Sequence, residues 1–278
     1  MPMSPIRQAL LATLIAMALA LVACATNPVT GRSQFLIVPE SQAISASRQA
    51  YTEMLAPLAK EGRINNDPAM VKRVKTITGR IVAQAVTYRP ETREWDWTIS
   101  VIDDPDTVNA FAMAGGKMAV YSGLITQIGP TDDELAQVIG HEIAHALSAH
   151  TAEKMSVALA SDLAVTAFAV TQDRPGIALT GAALAAALAI KLPNSRQMET
   201  EADRIGIQIA AKAGYDPYAA ASLWEKMKAV SGNDSSFDLL STHPAPQNRI
   251  NSLRALAPQM MRYYEAPGER PEFPIKTP

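Results

Sequence analysis

The pentapeptide His141-Glu142-Ile143-Ala144-His145 constrains this chain more than any other stretch, because its two imidazoles converge only if the backbone is helical. Thr131-Asp132-Asp133-Glu134 has the pattern of a capping box, so a helix is expected to begin at Asp132 and run to about His150. At about 100° per residue the two histidines stand about 40° apart and one turn along, so both rings enter the same space, as a zinc ion requires. Glu142 lies beside them. It is placed to take a proton from an activated water without ligating the metal, which makes it the candidate general base. Leu135, Ile139, Ile143 and Ala146 occupy the opposite side, giving the helix one core face and one metal face. His150 falls on the far side of this helix and reads as a surface or capping residue.

Composition limits what else the chain can be. With 25 basic and 27 acidic residues and a net charge of -2, no nucleic-acid surface is expected. The 48% hydrophobic and 19% charged content calls for a packed core and excludes a disordered chain. One cysteine and four histidines exclude a disulfide framework and a thiolate zinc site, leaving imidazoles and carboxylates as ligands.

A catalytic zinc takes three protein ligands and keeps a fourth position open. In the segment from Ser195 to Ala213, Glu199 and Asp203 share a helix face with Gly206, beside an apolar stripe of Met198, Ala202, Ile205 and Ile209. This spacing favours Glu199 as third ligand, with Asp203 behind it holding the free N–H of a ligating imidazole. Gly206 would let two helices approach closely. Glu201, which points almost the opposite way, is the competing ligand.

Residues 1–23 read as a lipoprotein signal peptide: Arg7, an apolar stretch from Ala9 to Ala23 too short to span a bilayer, and then Leu21-Val22-Ala23-Cys24, which looks like a lipobox. Cys24 is the expected lipidated N-terminus, and Ala25 rather than Asp after it favours the inner leaflet of the outer membrane. Residues 24–40 read as a polar tether. Helices are expected from Ser41 to Lys60 and from Pro68 to about Val86, followed by strands over Trp95–Asp103, Asn109–Met113 and Lys117–Tyr121 that form a small antiparallel sheet. Apolar runs over Val157–Val170 and Ile177–Leu192 suggest a helical hairpin, 151–194, inserted between the two zinc-bearing helices as a packed element or a lid. Residues 258–278 form a proline-rich tail, expected as a surface strap or disordered.

His141-Glu142-Ile143-Ala144-His145, Glu199-Thr200-Glu201-Ala202-Asp203 and Thr242-His243-Pro244 with Arg249-Ile250 together resemble the signature of the M48 family of zinc metallopeptidases, in the gluzincin group. Asn27-Pro28-Val29-Thr30-Gly31 and Asn109-Ala110-Phe111-Ala112 extend the likeness over most of the chain, with periplasmic lipoproteins the nearest type. The resemblance implies an α+β, predominantly helical, zincin-like metalloprotease domain over residues 41–257. It further implies one Zn2+, held by His141, His145 and Glu199, and a strand on which extended substrate lies. Substrate-binding residues would be Asn109, Ala110, Phe111 and Ala112, unless both edges of that strand are occupied. His243 would either donate to a developing oxyanion or take the fourth zinc position and block it. Arg249 would pair with a carboxylate near the site or be solvated. The expected activity is hydrolysis of misfolded or unassembled envelope proteins in the periplasm. The competing expectation is an assembly factor for outer-membrane proteins that acts by binding.

Overall fold

A computed structural model of the chain describes residues 24–170, 181–190, 192–231, 238–243 and 247–278. The expected leader, Pro244 and the tip of the expected hairpin lie outside the described residues. The fold is α+β and mostly helical. In chain order it comprises β1 (Cys24–Thr26), β2 (Ser33–Phe35), α1 (Glu40–Lys60), α2 (Pro68–Tyr88), a 3-10 turn, β3 (Thr98–Ile102), β4 (Ala110–Met113) and β5 (Lys117–Tyr121). Eight further helices follow: α3 (Ser122–Ile128), α4 (Asp132–Leu147), α5 (His150–Val170), α6 (Gly181–Ile190), α7 (Arg196–Lys212), α8 (Ala219–Ser231), α9 (Asp238–Thr242) and α10 (Gln247–Tyr264).

Strand alternation explains why the three-stranded sheet is buried on both faces. Ile99, Val101, Ala110, Ala112, Met118 and Val120 join one apolar core with α2, α4, α7, α8 and α10. Ile102, Phe111, Met113 and Ala119 face a second core with Tyr51 of α1, Met155 of α5 and Leu188 of α6. The strand order is β3-β5-β4, with β3 and β5 parallel and β4 and β5 antiparallel, so the sheet is mixed rather than antiparallel as expected. The reason is a crossover. The chain passes beyond the place β5 will take, and Gly115 and Gly116, at φ 80° and 79°, then fold β5 back into the middle.

Three further expectations are corrected. Residues 24–40 are no free tether: β1 and β2 pair as a hairpin whose Asn27 and Gln34 side chains are buried against the helical body. The motif helix α4 stops at Leu147, and the turn through Ala149, at φ 53°, starts a new helix at His150. The last helix continues through Pro258 to Tyr264. Beyond it the chain returns to the sheet, where Ile99 N–H donates to Lys276 O and Lys276 N–H to Trp97 O, occupying the outer edge of β3. That leaves β4 as the other outer strand. α6 packs against both β4 and α1.

Candidate metal centre

Helix α4 is central because every residue from Glu134 to Leu147 is buried, so its polar residues face a protein-lined interior rather than solvent. The capping box forms as the sequence implies, with Thr131 Oγ1 accepting from Glu134 N–H and Glu134 Oε2 accepting from Thr131 N–H. Helix α7, capped by Ser195, crosses α4 and brings Glu199 to the two motif histidines. His141 Nε2 and His145 Nε2 stand 3.1 Å apart, and the Glu199 carboxylate lies 3.3 Å from each. His243, at the end of α9, places Nδ1 3.1 Å from His141 Nε2 and 2.9 Å from Glu199 Oε1.

One donor atom from each of these four residues lies within 4.8 Å of all the others, and all four residues are buried. With ligand bonds of about 2.0–2.1 Å, neighbouring donors around tetrahedral zinc lie about 3.3 Å apart, close to the separations found. Two imidazole nitrogens meeting at this distance cannot both be lone pairs without repulsion, and a cation between them removes it. Among the described residues Glu142 Oε1 and Glu199 Oε2 are buried without a hydrogen-bond partner, although Arg249 Nη1 stands 2.7 Å from Glu199 Oε2. These residues therefore fit a zinc ion.

The buried carboxylates favour positive charge at this cluster. Burial drives His145 well below the ordinary imidazole pKa. Burial would also lower His141, but the Glu199 charge and hydrogen bonds to Asp203 and Glu199 raise it to about 9. Glu199 is pushed up by burial and more strongly down by His243 and His141, so it stays ionised. Asp203 accepts from Arg249 at 2.7 and 2.8 Å and lies 3.0 Å from His141 Nδ1. The Arg249 guanidinium stacks on Trp224 at 4.2 Å, which holds the fork in place. Arg249 thus pairs with a carboxylate at the site and is buried.

Glu142 faces the cluster from the side of the sheet. Its Oε2 accepts from Ala112 N–H at 3.3 Å, and its Oε1 lies 3.4 Å from His243 Nε2. Beside His141 and Glu142 opens an apolar pocket lined by Val138, Ile207, Leu223, Trp224, Leu239 and Leu253, which the local sequence pattern did not reveal.

The structure overturns the expectation for His150, which is 1% exposed. Its Nδ1 lies 2.8 Å from His145 Nδ1 and its Nε2 lies 2.9 Å from Glu201 Oε2. A continuing helix would have turned it about 140° from His145. The break at Ala149 swings it back. Glu201 accordingly lies behind the centre, on His150 and Arg32, and is not in the donor set.

Peptidase family M48 matches residues 68–257 of the chain. The mitochondrial metalloendopeptidase OMA1 of Bos taurus is 34% identical over 250 residues, covering 86% of this chain and 47% of the bovine protein. Its counterpart in Saccharomyces cerevisiae is 32% identical over 253 residues, covering 86% of this chain and 70% of the yeast protein. The beta-barrel assembly-enhancing protease of Escherichia coli is 29% identical over 203 residues, covering 70% of this chain and 40% of that protein. The chain thus spans about half or less of the bovine and E. coli proteins. A zinc-type donor set, a glutamate poised beside it and a match over most of the folded body agree: the chain belongs to peptidase family M48.

Proposed function

We propose that this chain is a zinc-dependent endopeptidase of the bacterial cell envelope that cleaves misfolded or unassembled proteins. The observation that carries the reading is Glu142, set between the four converging donors and the backbone of an outer strand. His141, His145 and Glu199 would hold the zinc ion, and His243 would supply a fourth donor at rest. Bound zinc supplies Lewis acidity, polarising a peptide carbonyl and acidifying water. Glu142 accepts the proton of the attacking water and returns it to the departing amine, so its charge is restored at the end of the cycle. Asp203, clamped by Arg249, keeps His141 in the tautomer that leaves Nε2 free. Residues 109–112 align an extended substrate by backbone pairing, which reads few side chains. The apolar pocket receives one substrate side chain.

Envelope placement rests on the leader-like residues 1–23 with Cys24, the lipid attachment point at the outer membrane, and on the likeness to an assembly-enhancing protease. The OMA1 relatives are mitochondrial. No helix among the described residues is long and apolar enough to cross a membrane.

The test uses the purified full chain. One zinc per chain and cleavage of a denatured test protein support the reading, as does a Glu142→Gln variant that keeps zinc and does not cleave. Zinc-free, inactive protein overturns it. If Glu142→Gln fully restores a cellular phenotype, the chain acts as an assembly factor by binding.

A further inference from the structure

His145 has an unusual support. For His145 Nε2 to face a metal as a lone pair, its proton must sit on Nδ1 and be donated to an acceptor. His141 meets that need directly, through the Asp203 carboxylate at 3.0 Å. The atom next to His145 Nδ1 is a second imidazole nitrogen, His150 Nδ1 at 2.8 Å. It accepts only as a lone pair, which puts the His150 proton on Nε2, where Glu201 Oε2 receives it at 2.9 Å. Every proton in this chain of contacts is then assigned. The other His150 tautomer would set two N–H groups against each other.

Glu201 is fixed in turn from far away in sequence. Arg32 Nε donates to Glu201 Oε1 at 2.6 Å, and Arg32 Nη1 and Nη2 donate to the two oxygens of Glu153 at 2.9 and 2.7 Å. The same β1–β2 hairpin holds the turn that carries His150. Asn27 Nδ2 donates to Ser148 O at 3.3 Å and Gln34 Nε2 donates to it at 2.8 Å. A histidine that only filled space would need neither a defined tautomer nor two carboxylates bridged by an arginine.

We infer that His150 is the positioning residue for the metal ligand His145, fixing its tautomer and ring plane, and that Glu201 and Arg32 of the N-terminal hairpin fix His150. One segment of α7 thereby serves the whole centre: Glu199 enters the donor set, Asp203 orients His141, and Glu201 orients His145 through His150. The hairpin that begins at Cys24 becomes part of the metal site. This inference rests on the zinc reading above.

The experiment measures zinc affinity by chelator competition on the full chain, with thermal melting of the metal-free protein alongside. His150→Phe keeps the ring and removes the acceptor, and His150→Asn restores an acceptor oxygen near the place of Nδ1. Zinc binding is expected to weaken about 10- to 100-fold in His150→Phe and to recover most of that loss in His150→Asn. Arg32→Gln, remote from every donor atom, is expected to weaken zinc severalfold and decides the matter should His150→Phe fail to fold. Parent-like zinc affinity in folded His150→Phe, or in Arg32→Gln when that is the deciding variant, overturns the inference. So does an equal loss in the Phe and Asn variants. A parent chain that binds no zinc overturns the zinc reading itself, which separates the two failures.

Discussion

Gly140 of α4 and Gly206 of α7 face each other where the helix bearing His141 and His145 crosses the helix bearing Glu199. A Cβ on Gly140 would stand 2.9 Å from Gly206 O, and one on Gly206 would stand 2.8 Å from His141 N. Both clashes are with backbone, so no side-chain rotation relieves them. Gly206→Ala must push α7 away from α4 and carry Glu199 from the histidines. Overpacking of this kind costs about 1–3 kcal/mol. The expected result is a lower melting temperature together with weaker zinc binding, measured by calorimetry and chelator competition. A variant that melts and binds zinc like the parent would show that the crossing has slack.

Gly206 was readable from the sequence because its neighbours on one helix face, Glu199 and Asp203, are set by helical periodicity alone. The same holds for His141, Glu142 and His145. His150 was not readable, because its direction depends on whether the helix survives Ser148 and Ala149. Ala149 adopts a left-handed backbone with none of the glycine or asparagine that normally announces one. The N-terminal hairpin is hidden in the sequence for a different reason. Its Asn27, Arg32 and Gln34 have the composition of a solvated linker, yet their partners Ser148, Glu153 and Glu201 are more than a hundred residues away and no local pattern marks them. Strand direction was equally hidden, since alternation gives the faces of β3 and β5 but not their relative orientation.

Arg249 is the buried cation that keeps Asp203 ionised, and its own charge is stabilised in return. Burial disfavours both charges, but the forked contact outweighs it, lowering the Asp203 pKa and raising that of Arg249. Removing one partner of such a pair leaves an uncompensated buried charge and costs about 3–5 kcal/mol. Arg249→Leu is therefore expected to lose several kcal/mol in urea unfolding. Arg249→Leu with Asp203→Asn should recover much of this loss. If the double variant is no more stable than Arg249→Leu, the two side chains are not coupled.

His243 is 2% exposed and its Nδ1 sits among the three other donors, where a substrate carbonyl would have to approach. Its backbone N–H is tied to Leu239 O, and Asn194 Nδ2 lies 3.3 Å from its Nδ1. This geometry favours a resting block over an oxyanion donor. His243→Ala is expected to cleave a small denatured substrate several times faster than the parent while retaining zinc through the other three donors. Turnover that falls by orders of magnitude with zinc retained would assign His243 to catalysis instead.

Glu201 offers a pH signature for the contact between the hairpin and the helices. Burial would raise its pKa, but hydrogen bonds from His150 and Arg32 win, and the carboxyl drops from its ordinary 4.5 to about 2. The unfolded chain therefore takes up this proton before the folded chain does. Stability contributed by Glu201 is fully present above pH 4.5 and is lost as pH falls toward 2. In metal-free protein, Glu201→Gln should be less stable than the parent at pH 6, and the gap in urea midpoint should close between pH 4.5 and pH 2. A gap that stays constant across that window would mean that the carboxylate charge contributes nothing and that only the shape of residue 201 matters.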